Sequence, residues 1–80
     1  MSGMAQALKA YSATFQGTEA VDSGLSRITI GGQTFRYVPR LSNAWSSPPS
    51  VGTTLLVASI NGSLLIFGAQ VGDTSKAVGP

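Results

Sequence analysis

Polar and apolar residues alternate with a period of two near the start of the chain. Tyr11, Ala13 and Phe15 interleave with Ser12, Thr14 and Gln16, which is the pattern of a half-buried strand. The pattern predicts a first strand over residues 12–21. Gly17 interrupts it, and Ala20 and Val21 resume it. A glycine inside a strand marks a bulge or a sharp bend at a barrel corner. Asp22-Ser23-Gly24 then reads as a turn.

Residues 25–41 predict a hairpin. Gly31-Gly32 suits a two-residue turn, because both positions accept a positive φ. That turn sets Ile30 against Gln33, Thr29 against Thr34, Ile28 against Phe35 and Arg27 against Arg36. One face then carries Ile28, Ile30, Phe35, Tyr37 and Leu41. The other carries Arg27, Thr29, Thr34, Arg36, Val38 and Arg40. Pro39 cannot donate to a ladder, so the second strand should end there or lie on an edge.

Residues 42–52 hold the only tryptophan, Trp45, and the pair Pro48-Pro49. They predict a stiff, extended loop. Residues 53–69 predict a second hairpin around Asn61-Gly62, a strong two-residue turn. Here the alternation carries no polar face. Leu56, Ala58, Ile60, Leu65 and Phe67 fall on one side, and Leu55, Val57, Leu64 and Ile66 on the other. Strands of this kind are normally covered on both sides.

The expected fold class is all-β: a small five-stranded barrel, OB-like or SH3-like, with an N-terminal arm or short helix. The strands are expected near 12–21, 25–30, 33–39, 53–60 and 63–70. The domain plan is an arm at 1–11, a barrel at 12–72 and a polar tail at 73–80. In an OB barrel a helix commonly joins the third and fourth strands, and here the proline-rich loop takes that place.

Composition narrows the function. The 80 residues carry five basic and three acidic side chains, and residues 41–72 carry no charge. A chain of this size buries a modest core and commonly needs a disulfide, a metal or a partner surface. With no cysteine and no histidine, a disulfide is impossible and a structural zinc site lacks its ligands. A partner surface is the remaining support. The net charge of +2 is too small to indicate DNA or a membrane by itself. The uncharged run 51–72 has the length of a membrane span, but Asn61-Gly62 divides it and polar residues punctuate it, so no membrane span is expected.

The two apolar rows of the second hairpin set the main expectation. A barrel this small has one inside, and Leu56, Ala58, Ile60, Leu65 and Phe67 are expected to fill it. Leu55, Val57, Leu64 and Ile66 then need separate cover, either from the N-terminal arm or from another subunit, and are the candidate assembly contact. Trp45 packs on its own barrel or anchors in a neighbour's pocket. The interface role is the one taken forward.

The string from Arg27 to Leu41, then Pro48-Pro49-Ser50-Val51-Gly52, then residues 53–68 with Asn61-Gly62 at the turn resembles small OB-like barrel proteins of bacteriophage virions. Those proteins join a hairpin, a Pro…Val-Gly-Asp loop and a second hydrophobic hairpin, and Thr53 stands here where an Asp is usual. The resemblance spans residues 13–72 and rests on turn and core features. It implies a non-enzymatic, multi-copy virion part assembled in the host cytoplasm, of tail or baseplate type, with capsid decoration as the alternative. Its implied partners are other virion proteins and copies of itself.

Catalysis is not expected. General acid–base chemistry needs a positioned titratable group, and Glu19, Asp22 and Asp73 read as solvated carboxylates. Gly31-Gly32 lacks the spacing and following helix of a phosphate loop. No catalytic, cofactor, metal or small-molecule site is assigned. Arg27, Arg36 and Arg40, placed on one face, read first as a solvated barrel exterior. They read next as a surface for an acidic protein neighbour, and last as a single-strand nucleic-acid face.

Overall fold

A computed structural model describes residues 8–72 and 78–79. It is all-β, with five strands: β1 (Leu8–Thr18), β2 (Leu25–Ile30), β3 (Gln33–Pro39), β4 (Thr54–Ile60) and β5 (Ser63–Ala69). All pair antiparallel in one sheet of order β3-β2-β1-β4-β5. The sheet curls into a partly open barrel. It draws together at one end, where the Leu41 N–H donates to the Ile66 carbonyl at 2.9 Å and Arg40 bridges Ile66 in parallel.

Strand β1 is the spine. Its first half pairs with β4, from Leu8 opposite Ile60 to Thr14 opposite Thr54. Its second half pairs with β2, from Thr14 opposite Thr29 to Thr18 opposite Ser26. The expected interruption at Gly17 is a bulge: Phe15 faces Ile28 and Gly17 faces Arg27, leaving Gln16 as the extra residue. Gly17 takes φ 125° there, a conformation that a side chain disfavours. The strand also starts earlier than its alternation indicated. Residues 8–11 belong to β1, whereas residues 1–7 of the expected arm and residues 73–77 and 80 of the tail lie outside the described residues.

Both hairpin turns fall where the glycine and asparagine pairs predicted, and β3 ends at Pro39 as expected. The core is Ala13, Phe15, Ile28, Val38, Leu55, Val57 and Ile66, flanked by Ile30, Phe35, Trp45 and Leu64.

Two expectations about faces are corrected. In the second hairpin the rows are exchanged. Leu55 and Val57 face Ala13 and Tyr11 across β1, so they share the concave side with Phe15. Leu55 is 1% exposed and Leu56 54%. Leu55, Val57 and Ile66 therefore build the core with Leu64 packed against it, and the other row points outward, with Leu56, Ile60 and Phe67 exposed, Leu65 half-buried and Ala58 buried among its neighbours. An NG turn fixes which residues oppose each other, but two apolar faces leave open which one points in.

In the first hairpin, Ile28 faces Phe35 but Ser26 faces Val38. Arg36 and Tyr37 together oppose Arg27. The extra residue reverses the alternation, so Val38 turns into the core and Tyr37 turns out to 50% exposure. Tyr37 takes φ 57° at this bulge, unusual for a bulky residue.

A candidate assembly surface on the outer sheet face

The surface is built from the convex side of β1, β4 and β5. Because strand side chains alternate, the cross-strand pairs place Leu8 beside Ile60, Ala10 beside Ala58 and Ser12 beside Leu56. From β5, Leu65 lies beside Ala58 and Gly68 beside Leu56. Phe67 is the extra residue of a bulge, since Leu56 faces Gly68 while Val57 faces Ile66. Leu8, Leu56, Ile60 and Phe67 are all exposed. None of these side chains is charged.

A groove of about 510 Å³ crosses this face, lined among others by Ala10, Ser12, Thr54, Leu56, Gly68 and Gln70. Its depth follows from small residues. A methyl group placed on Gly68 would meet nothing within 4 Å. The face thus offers ridges at Leu56 and Phe67 beside a hollow at Gly68. Complete burial of an exposed leucine or phenylalanine contributes about 1.5–3 kcal/mol, so several half-exposed side chains gain appreciably when a second surface covers them.

The three arginines do not share one face. Arg27 and Arg36 are exposed on the barrel exterior. Arg40 lies beyond the bulge and is half-buried, with its guanidinium 5.3 Å from the centre of the Trp45 ring. Trp45 meets Phe15 edge-on, with ring centres 5.4 Å apart. It packs against its own core as a half-buried side chain, the first of the two roles the sequence left open.

Sequence reasoning missed Glu19, which was read as a solvated carboxylate. It is 6% exposed. Arg36 donates to it from Nη2 to Oε1 at 2.7 Å and from Nε to Oε2 at 3.2 Å. The Tyr37 N–H also donates to Oε2, at 3.2 Å. Arg36 holds the Glu19 carboxyl below its ordinary pKa against the opposing effect of burial, and the Tyr37 N–H lowers it further. Glu19 in turn raises Arg36. The carboxylate anchors the β3 bulge and offsets part of the basic exterior. A pair 17 residues apart leaves no local spacing to read. Asp22, by contrast, is an exposed turn residue, its Oδ1 accepting from the Gly24 N–H at 2.8 Å.

Comparison of the chain with family models, with curated proteins and with solved structures finds no match in any of the three.

Proposed function

We infer that this chain is a non-enzymatic structural subunit that packs in multiple copies through the outer face of β1, β4 and β5. One observation carries this reading: an uncharged sheet face on which Leu8, Leu56, Ile60 and Phe67 stay exposed. Contiguous apolar patches on a small protein mark interaction sites. The curled sheet of order β3-β2-β1-β4-β5, with Arg40 just beyond β3 bridging Ile66 of β5 in parallel, is consistent with a small, partly open barrel of OB type. With the resemblance of residues 13–72 to small phage barrels, the reading extends to a virion part, of tail or baseplate type ahead of capsid decoration. Other virion proteins and copies of this chain are the partners.

The test is the mass of the purified chain by light scattering, with and without Leu56→Lys. A multimer that Leu56→Lys reduces to a folded monomer supports the reading. A wild-type monomer at high micromolar concentration sinks it.

One observation favours a second reading. The β3 bulge exposes Tyr37, which the alternation had placed inside, and sets the Arg36 guanidinium 4.9 Å from its ring centre. An exposed aromatic beside arginines is the element that single-strand binders stack bases on. Glu19 offsets Arg36 at that point, which weakens the basic groove such a site needs. Salt-dependent retention of a single-stranded oligonucleotide, lost in Tyr37→Ala, would favour this reading over assembly.

A further inference from the structure

Strand β1 is longer than its partner on one side. Its pairing with β2 begins at Thr14 opposite Thr29, and β2 ends at Ile30. Residues 8–12 therefore pair with β4 alone, and among the described residues no strand lies along their other edge.

The direction of their backbone groups follows from one anchor point. The Phe15 N–H donates to the Thr53 carbonyl at 2.9 Å, and the Phe15 carbonyl accepts from the Gly52 N–H at 2.8 Å. Phe15 thus points its polar backbone toward the β4 side. The β1–β4 register runs without a break from Leu8 to Thr14, and antiparallel strands alternate the direction of these groups. Lys9, Tyr11 and Ala13 therefore face β4. Leu8, Ala10 and Ser12 point their N–H and C=O groups to the open edge.

We propose that this edge pairs with the same edge of a second copy, antiparallel about a two-fold axis at Ala10. The proposal rests on the self-assembly reading above and specifies how copies meet. In this register Ala10 faces Ala10 of the second copy and Leu8 faces Ser12, all with backbone groups directed across the seam. Lys9, the one charged side chain of the segment, faces Tyr11 of the second copy, not another lysine. An ammonium over a tyrosine ring is attractive, whereas like charges directly opposed are not. Directly opposed residues share a face. The outer faces of the two copies then join, and Leu8, Ala10 and Ser12 continue one apolar surface into the next. An unpaired edge is a ready template for strand addition, and self-complementarity is what a two-fold interface demands.

The experiment combines hydrogen exchange by NMR with light scattering on the full chain. At concentrations where the chain is multimeric, the Leu8, Ala10 and Ser12 amides should exchange at least about tenfold more slowly than in dilute monomer. Ala10→Pro removes one edge N–H and no β1–β4 bond, and should abolish pairing. Ala10→Lys sets two ammonium groups face to face and should do the same if the proline variant does not fold. A multimer with fast-exchanging Ala10 and Ser12 amides, or one that survives both variants, overturns the edge pairing and leaves face packing standing. A wild-type monomer overturns both. Protection of these amides within a monomer assigns the edge to another segment of the same chain and overturns the pairing.

Discussion

Arg36 grips Glu19 at two points, with Nη2 2.7 Å from Oε1 and Nε 3.2 Å from Oε2. Two parallel bonds from a planar guanidinium fix orientation as well as charge. The same carboxylate takes the Tyr37 N–H, so the pair secures the bulge that sends Val38 inward and Tyr37 outward.

Stability should depend on Glu19 ionisation. Its folded pKa is lowered, chiefly by the Arg36 hydrogen bonds. Below the ordinary carboxyl value of 4.5 the unfolded chain takes up the proton first. The added stability is therefore complete above that value and is lost as pH falls through the lower folded one. Thermal melts of wild type and Glu19→Gln should differ most near neutral pH and converge in acid. Parallel curves across that range would refute the role of the carboxylate.

The bulge should tolerate some residues at position 37 and reject others. Tyr37 sits at φ 57°, where Asn is at ease and β-branched residues are strained. Both Tyr37→Asn and Tyr37→Val remove the ring and its contact with Arg36. Tyr37→Val should nevertheless be less stable than Tyr37→Asn by about 1–2 kcal/mol, measured by urea unfolding. Equal stabilities would mean the backbone relaxes at no cost.

Neighbouring leucines on β4 should behave oppositely. Leu55→Ala empties core volume and should cost about 2–5 kcal/mol. Leu56→Ala trims an exposed side chain and should cost under about 1 kcal/mol in the monomer, while weakening self-association. Denaturation and light scattering on the two variants check this. A larger stability loss at Leu56 than at Leu55 would reverse the assignment of the faces.

Trp45 should matter to the isolated fold. It meets Phe15 edge-on and lies under Arg40. Trp45→Ala should lower unfolding free energy by about 2 kcal/mol, below the range for a fully buried tryptophan because the side chain is only partly buried. Intact stability with lost assembly would restore the role of interface anchor.

Much of the fold was legible along the chain. Gly31-Gly32 and Asn61-Gly62 place both hairpins, Gly17 marks the β1 bulge and Pro39 ends β3, because turns and breaks depend on local backbone freedom. The candidate surface was legible only as a statement that the second hairpin has one apolar face too many. Which face that is depends on β1, more than 40 residues away in sequence. Glu19 and Tyr37 were misplaced for a related reason: a bulge adds one residue with no compositional mark, and a distant arginine recruits the carboxylate.

By itself, then, the sequence determined that the chain is all-β, where its strands turn, and that the second hairpin carries an apolar row on each face. Tertiary structure decided that Leu55, Val57, Leu64 and Ile66 go inside, that Leu56, Ile60 and Phe67 stay exposed on the outer face, and that Trp45 packs against its own core. Alternation is a local property of a strand, whereas inside and outside are set by the strand it pairs with.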